Sequence, residues 1–310
     1  AARATGHVRR TPLLTSPFLD EIAGRKVFLK AECLQHTGSF KYRGAWSALS
    51  AMEPEIRARG VIAYSSGNHA QAVARAAALH GTSSVIVMPS DAPQIKIDNT
   101  RALGADVVLY DRENEDRDAI GTTLAEERGL TLIRPFDEPL VIAGQGTCGK
   151  EIAEQASEAG AEGAEILVCC GGGGFTSGIA LATEGAPRVR PVEPEGFDDV
   201  ARSLQTGEIS RNNRESGSLC DAIITPAPGK ITFPILKRLC GPGIVVSEDD
   251  ALRAMAHAFL RLKLVLEPGG AVALAAALFH GDHVDSDAVI VTASGGNVDA
   301  PVFQRALEML

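Results

Sequence analysis

The sequence lacks an apolar run of the roughly 18 residues that a membrane span requires. Its 310 residues also lack a basic excess, because 39 acidic residues outnumber 30 lysines and arginines and leave a net charge of −9. That charge argues against nonspecific nucleic-acid binding. The N-terminal residues contain no apolar core of the kind found in signal peptides. We therefore expect neither a membrane nor a nucleic-acid partner.

Low-complexity linkers and internal repeats are also absent, although the chain is long enough for two ordinary domains. Two domains would therefore be intertwined rather than joined by a linker. The six cysteines are scattered, without the paired spacing of a metal site or the pattern of a disulfide framework. This distribution predicts a reduced, cytoplasmic protein in which Cys169 and Cys170, at the end of an apolar run, are small core residues.

Short β-branched runs recur along the sequence, and alanine-rich stretches typical of helices lie between several of them. Strands without polar alternation are buried on both faces, as in parallel sheets that helices cover. The pattern predicts an α/β fold with open sheets and right-handed crossovers. The predicted strands contain residues 61–64, 85–88, 107–110, 166–168, 244–246 and 289–291.

Lys41 is flanked by an aromatic residue and small residues, within a run from Gly38 to Gly44. Most lysines are solvated surface charges, but these neighbours favour an amine held against a flat and partly dry pocket. Desolvation would lower the pKa of the amine and make it a nucleophile that forms a Schiff base with an aldehyde. This prediction depends on whether the rest of the chain supplies a pocket for an aldehyde cofactor.

Three polar or glycine-rich segments follow predicted strands, where ligands collect in open α/β sheets. They span residues 65–69, 171–174 and 294–297. The four glycines of the second run directly into a predicted helix, so their N–H groups and the helix dipole can bind phosphate. A dinucleotide site is a weaker interpretation, because no acidic residue follows at the required distance. The alternatives are a flexible loop for 171–174 and simple helix capping for 65–69.

In their order along the chain, these segments resemble the serine/threonine dehydratase and serine racemase family. Its members are pyridoxal-phosphate (PLP) enzymes of fold type II, the tryptophan-synthase-β fold. The resemblance runs from about Arg10 to about Val298, and several independent motifs in one order make chance agreement remote. The motifs occupy residues 38–45, 65–71, 144–147, 171–174, 266–268 and 294–297.

The resemblance implies a role around PLP for several of these residues. Lys41 would form the Schiff base, and Ser66 would be a catalytic residue on the face opposite Lys41. The substrate carboxylate would be bound by Ser65, Ser66, Asn68 and His69. The remaining cofactor contacts would be Phe40 beside the ring, Asn68 at the 3-hydroxyl oxygen, Gly171, Gly172, Gly173, Gly174 and Phe175 at the phosphate, and Ser294 at the pyridine nitrogen.

A site for a divalent cation is implied as well. Glu193, the backbone carbonyl of Phe197 and Asp199 match the family segment that surrounds the ion. Oxygen ligands of this kind fit Mg²⁺, Ca²⁺ or Mn²⁺ rather than Zn²⁺. Without the resemblance, an acidic surface loop near a helix start would be the preferred interpretation.

The implied activity is that of an ammonia-lyase, a dehydratase that removes water from serine, threonine or 3-hydroxyaspartate to give a 2-oxo acid and ammonia. Racemisation of serine or aspartate by Lys41 and Ser66 is the alternative, and an inert PLP-binding homologue is a third. Ala222 replaces a glycine that the family often has in a segment near the active site. The substrate therefore stays open, with Arg43 or His69 as candidate cations for a second carboxylate.

The resemblance also implies a domain organisation. Residues 1–59 and 138–310 would form a large PLP-binding domain. Residues 60–137 would form a small domain that is inserted into it and closes over the substrate. A homodimer is implied by the resemblance alone.

Overall fold

The computed structural model of the protein describes residues 2–65, 67–92, 94–111, 114–184 and 188–310. Within these ranges the chain forms ten strands, which alternate with helices over most of its length. The strands are β1 (Leu13–Thr15), β2 (Lys26–Lys30), β3 (Val61–Tyr64), β4 (Ser84–Pro89), β5 (Asp106–Tyr110), β6 (Thr131–Leu132), β7 (Glu165–Cys169), β8 (Val189–Pro194), β9 (Ile244–Val246) and β10 (Ala288–Thr292).

The helices cover both short and long segments, and several carry proline in the first turn, where no backbone N–H is needed. They are α1 (Pro17–Ala23), α2 (Lys41–Ala51), α3 (Pro54–Arg57), α4 (Asn68–Leu79), α5 (Gln94–Ala102), α6 (Arg117–Arg128), α7 (Pro139–Glu158), α8 (Gly174–Ala182), α9 (Asp199–Thr206), α10 (Thr232–Leu239), α11 (Glu248–Leu262), α12 (Pro268–Phe279) and α13 (Ala300–Leu307).

The strands form two separate sheets. The larger has the order β1-β2-β10-β7-β8-β9 and is parallel apart from the edge strand β1. In its centre, Ile290 pairs with Phe28 on one side and with Ile166 on the other. The smaller sheet has the order β5-β4-β3-β6 and is entirely parallel. Each of the six predicted runs lies in one of these strands, so the predicted α/β class is confirmed.

The smaller sheet uses strands only from the segment between Val61 and Leu132. This segment lies within residues 60–137, for which a small inserted domain is predicted. That domain division and its closure over a substrate stay predictions. No helix in the described ranges is long and apolar enough to cross a membrane.

Helix α7 packs closely against both α2 and α8, because small residues line the two contacts. A Cβ on Gly144 would lie 2.4 Å from the carbonyl oxygen of Arg43 in α2. One on Gly149 would lie 2.8 Å from the Cα of Ile179 in α8. Real Cβ atoms do not approach backbone atoms this closely, so both positions require glycine. The start of α2, with Lys41, and the start of α8, with the glycine-rich turn, are thereby fixed relative to each other.

Candidate active site

A cavity of about 220 Å³ lies at the carboxyl ends of β3 and β7. It is lined by residues from two sheet regions, the segment that forms the smaller sheet and the segments that form the larger one. This is the place where open parallel sheets bind ligands. Lys41, Asn68 and His69 line it together with the glycine-rich turn. The structure therefore brings together most of the residues that the sequence predicted for the site. Ser66, the predicted second catalytic residue, lies outside the described residues.

Lys41 is the first residue of α2, and its half-buried side chain lines the cavity. Its Nζ donates a hydrogen bond to the backbone carbonyl of Pro135 at 3.0 Å and lies 5.2 Å from the centre of the Phe40 ring. Desolvation lowers the pKa of Lys41 from 10.5 to about 8, and the nearby carboxyl of Glu267 acts against this shift. The amine can therefore exchange protons near neutral pH.

Phe40 is buried beside Lys41 and stacks on Phe175, with ring centroids 4.0 Å apart and planes 15° from parallel. Phe175 is the second residue of α8, directly after the glycine-rich turn. Both rings contribute to the cavity wall. The contact between them joins the helix that carries Lys41 to the helix that begins at the turn.

The glycine-rich turn has no space for side chains. A Cβ on Gly172 would lie 2.4 Å from the ring of Phe136, and one on Gly171 would lie 3.1 Å from the backbone of Ile223. Gly173 has a φ of +87°, a conformation that favours glycine. Helix α8 begins at Gly174, so the first N–H groups of the helix and its positive dipole end face this region. Such a turn binds phosphate through backbone groups alone.

Asn68 connects the two sheet regions at the edge of the cavity. Its Nδ2 donates to Glu267 Oε1 at 2.6 Å, and its Oδ1 accepts a hydrogen bond from Asn297 Nδ2 at 2.6 Å. Glu267 is buried, and this burial raises its pKa from 4.5 to about 7, with Asp221 adding to the effect. No role for Glu267 was predicted, although it belongs to the motif at 266–268.

His69 and Ser65 line the cavity beside Asn68. His69 is buried, and its Nε2 lies 2.8 Å from the carbonyl oxygen of Ile133, which identifies Nε2 as the protonated nitrogen. Burial lowers the pKa of His69 to about 3, and the charge of Lys41 adds to this. Both effects favour the neutral form of His69, and they argue against its predicted use as a cation. The hydroxyl of Ser65 accepts a hydrogen bond from the N–H of Gly67 at 3.2 Å.

Ser294 is buried at the end of β10, next to the strand that leads into the glycine-rich turn. Its carbonyl accepts the N–H of Phe40 at 3.1 Å, which ties the Lys41 segment to the strand end. Cys169 forms the cavity wall here. Burial raises the pKa of the Cys169 thiol, and hydrogen bonds from Thr292 and Ser294 partly oppose that shift. Ser294 itself is not part of the cavity wall.

Arg43 points away from the cavity into a buried ionic network. Its Nε donates to Glu32 Oε2 at 2.7 Å and its Nη1 donates to Glu151 Oε1 at 2.7 Å. Both Arg43 and Glu32 are fully buried, and their pairing raises the pKa of Arg43 and lowers that of Glu32. The prediction that Arg43 could bind a substrate carboxylate is therefore wrong. The residue anchors α2 instead.

Two cationic side chains that the sequence did not single out line the cavity, Lys96 from α5 and Arg117 from α6. Lys96 Nζ forms an ion pair with Asp221 Oδ2 at 3.3 Å, and Asp221 also lines the cavity. Neither residue belongs to a recognisable motif. Only the packing of the smaller sheet region against the larger one brings them to within reach of the site.

The predicted metal ligands lie away from the cavity, at the end of β8. Glu193 is buried and accepts the N–H groups of Val200 at 3.0 Å and Ala201 at 2.7 Å. Asp199 Oδ1 accepts Asn212 Nδ2 at 2.6 Å, whereas its buried Oδ2 has no hydrogen-bond partner. Burial raises the pKa of both carboxyls, and the pKa of Asp199 reaches about 7.

Phe197, whose carbonyl is the third predicted ligand, is buried, and its ring lies 5.0 Å from the Arg214 guanidinium. In the described ranges, no group of three or more histidine, cysteine, aspartate or glutamate side chains could hold a metal ion. The predicted site contains only two such side chains, so this observation does not exclude it. A buried carboxylate oxygen without a partner fits a cation that the two acidic residues would share.

Comparison with known proteins identifies the family. Residues 4–295 match the sequence model of the pyridoxal-phosphate dependent enzymes, and the chain belongs to this family. It is 43% identical over 311 residues to L-threo-3-hydroxyaspartate ammonia-lyase of Pseudomonas sp, covering 99% of this chain and 96% of that protein. It is 38% identical to serine racemase of Schizosaccharomyces pombe, covering 96% of this chain and 92% of that protein.

The fold is shared with solved members of the family. The crystal structure of a T.th. threonine deaminase superposes with a TM-score of 0.90 at 44% identity, and the match covers 96% of each chain. The predicted family, the type II fold and the class of PLP-dependent enzyme of the ammonia-lyase type are thereby confirmed. The cavity fits the cofactor, because it combines a turn of glycines, at which any Cβ would crowd neighbouring atoms, with a desolvated amine at Lys41.

Proposed function

We propose that this protein is a PLP-dependent ammonia-lyase that converts L-threo-3-hydroxyaspartate to oxaloacetate and ammonia. The observation that carries the proposal is the presence of Lys96 and Arg117 in the cavity that contains Lys41. A substrate with a second carboxylate needs a cation that the smaller substrates serine and threonine do not need. The 43% identity to a hydroxyaspartate ammonia-lyase supports the same substrate.

The cofactor would be held by the residues that surround Lys41. The turn Gly171 to Gly174, with the N–H of Phe175, would bind its phosphate, and Phe40 would flank its ring. Asn68 would contact the ring oxygen. Ser294, which lies outside the cavity wall, would have to reach the ring nitrogen as the cofactor binds. When bound there, PLP supplies the electron sink that makes the substrate Cα proton removable.

Side chains and backbone groups of the chain would then accept the Cα proton and bind the substrate carboxylate. Lys41, with a pKa of about 8, would accept the Cα proton at Nζ, which the carbonyl of Pro135 holds in place. The start of α4, including the backbone N–H of His69, and the side chains of Ser65 and Asn68 would bind the α-carboxylate. Ser66 stays the proposed catalytic residue on the face opposite Lys41. Substrate binding would draw residues 60–137 towards the rest of the chain.

Three further features are proposed. A divalent cation, Mg²⁺, Ca²⁺ or Mn²⁺, would be bound by Glu193, Asp199 and the carbonyl of Phe197, as the unpartnered Asp199 Oδ2 suggests. The six free thiols, five of them buried, are in keeping with a cytoplasmic location. A homodimer, with twice the 32.4 kDa mass of the chain, rests on the resemblance alone.

Serine racemisation is the second candidate function, favoured by the 38% identity to a serine racemase. The two reactions can share one site, because both begin with loss of the Cα proton. They differ in product: the lyase releases a 2-oxo acid and ammonia, whereas the racemase only inverts Cα. An assay that follows both products separates them.

The test measures 2-oxo-acid release and the chirality of the remaining amino acid, with L-threo-3-hydroxyaspartate, L-threonine and both serine isomers as substrates. The highest kcat/KM should be for L-threo-3-hydroxyaspartate. In Lys96→Gln that value should fall about 10- to 100-fold, while the value for L-serine stays within threefold. The matched control is Lys26→Gln, which removes an ion-paired lysine far from the cavity. Inversion of serine without any 2-oxo acid would overturn the lyase assignment in favour of the racemase.

A further inference from the structure

The carbonyl of Gly172, in the glycine-rich turn, is held by two donors from the segment 229–232. Thr232 Oγ1 donates to it at 2.7 Å, and the N–H of Gly229 lies 3.2 Å from the same oxygen. The Thr232 hydroxyl also accepts from the N–H of Gly229 at 2.9 Å. Thr232 is fully buried and does not line the cavity. Its contacts therefore reach the turn from the side of α10 and not from the cavity.

Anchoring this carbonyl sets the direction of the next N–H group. In a trans peptide the C=O and the following N–H point in opposite directions, and the described residues contain no cis peptide bond. A Gly172 carbonyl held on the α10 side therefore turns the Gly173 N–H towards the opposite side, where the turn lines the cavity. Contacts on the α10 side also limit the turn, because a Cβ on Gly173 would lie 2.7 Å from Leu236 Cδ1.

Asp137 in turn fixes the position of Thr232. Its Oδ1 accepts the N–H groups of Ile231 at 2.8 Å and Thr232 at 3.2 Å, and its Oδ2 accepts the N–H of Lys230 at 3.0 Å. An acidic side chain at this place satisfies N–H groups at the start of α10 that have no helical partner. Pro135, two residues earlier, accepts the hydrogen bond of Lys41.

We propose that Thr232 is a positioning residue for phosphate binding, with Asp137 holding it in place. Without the Thr232 hydroxyl, the Gly172 carbonyl keeps only the longer hydrogen bond from the N–H of Gly229. The Gly172–Gly173 peptide is then held less firmly, and its N–H is less well directed into the cavity. The loss should therefore fall on ligands that carry a phosphate and spare those that do not. This inference rests on the proposed function, because it assumes that the turn binds the phosphate of PLP.

The experiment measures the Kd of the apoprotein for PLP and for pyridoxal, which lacks the phosphate. Thr232→Val removes the hydroxyl at nearly constant shape, and Thr232→Ser retains it. In Thr232→Val the Kd for PLP should rise about tenfold, while the Kd for pyridoxal stays within twofold. In Thr232→Ser both should stay within threefold. The control is Thr100→Val, which removes a buried hydroxyl bonded to the Lys96 carbonyl at 2.8 Å and should leave both Kd values unchanged.

Asp137→Asn is a second variant that keeps the test decisive if Thr232→Val does not fold. Asp137 is half-buried, and its amide replacement should raise the Kd for PLP about threefold without affecting pyridoxal. Unchanged PLP binding in Thr232→Val or Asp137→Asn, or an equal loss of PLP and pyridoxal, would overturn the inference. The proposed function fails separately, when the wild-type protein gives no 2-oxo acid and no visible absorbance with PLP that depends on Lys41.

Discussion

The side-chain amide of Asn68 donates a hydrogen bond to Glu267 Oε1 at 2.6 Å. Asn68 begins the helix that follows β3 of the smaller sheet, whereas Glu267 directly precedes α12 beneath the larger sheet. The bond therefore joins the two sheet regions at the cavity. Because Glu267 is buried there, its protonation state should influence the stability of the whole chain.

The pKa of Glu267 is about 7 in the folded protein, above its ordinary value of 4.5. The folded state then binds this proton more tightly than the unfolded state, so the contribution of Glu267 to stability is greatest below pH 4.5 and is lost as the pH rises through 7. Glu267→Gln keeps an acceptor for Asn68 but cannot titrate. Between pH 5 and 8, the urea unfolding free energy of the wild type should fall by roughly 2–3 kcal/mol relative to the variant. Parallel curves would contradict the prediction.

Lys41 should react with amine reagents at an unusually low pH in the apoprotein. Its pKa of about 8 exposes a neutral amine at pH values at which ordinary lysines, titrating near 10.4, stay protonated. Trace acetylation followed by mass spectrometry of the Lys41 peptide should reach half of its maximal rate near pH 8. A lysine model peptide labelled in the same tube is the reference. PLP should protect Lys41, and a half-maximal rate near pH 10 would refute the prediction.

Arg43 and Glu32 should stabilise the protein through their mutual pairing. Removing one partner of a buried ion pair leaves an uncompensated charge, so Arg43→Ala should lower the unfolding free energy by about 3–5 kcal/mol. The double variant Arg43→Met with Glu32→Leu should recover much of that loss, because it leaves no charge at either position and Glu151 keeps its ion pair with Lys30 at 2.6 Å. Arg10→Ala is the control, since the Arg10–Glu158 pair at 2.9 Å is exposed and its loss should cost less than about 1 kcal/mol. Equal losses in the single and double variants would contradict this account.

The sequence predicts those parts of the site that depend on local chemistry. Apolar runs mark the strands, and the glycines of the turn are recognisable because only glycine fits a position such as Gly173, with its φ of +87°. Lys41 is recognisable from its aromatic neighbours, one of which stacks on Phe175. These features are encoded within a few residues of each other.

The remainder of the site depends on contacts between distant segments. Thr232 and Gly172 are 60 residues apart, and Asn68 and Glu267 are 199 residues apart. Arg43 was misinterpreted for a geometric reason. Two residues along a helix correspond to a rotation of about 200°, so Arg43 lies on nearly the opposite face of α2 from Lys41. Proximity in sequence therefore gave the wrong direction for its side chain.

A variant of Asp199 can test the proposed cation site, because its effect on the Tm should change sign when a metal ion is added. Glu193 and Asp199 are both buried, and the charge of Asp199 contributes to the raised pKa of Glu193. Without a cation, Asp199→Asn removes this repulsion and should raise the Tm above that of the wild type. With millimolar Mg²⁺, Ca²⁺ or Mn²⁺, the wild type should gain stability by binding, and the variant should not. The order of the two Tm values should therefore reverse between EDTA and the metal that binds.

Asp198→Asn is the matched control for this reversal, because Asp198 is the adjacent acidic residue and pairs with Arg202 at 3.4 Å. It should retain the metal-dependent rise in Tm. Two outcomes would contradict the site: no metal that raises the wild-type Tm, or a variant Asp199→Asn that responds as the wild type does. The buried Asp199 Oδ2 would then simply lack a partner. An unpaired buried oxygen of this kind destabilises the folded protein equally in EDTA and in the presence of metal.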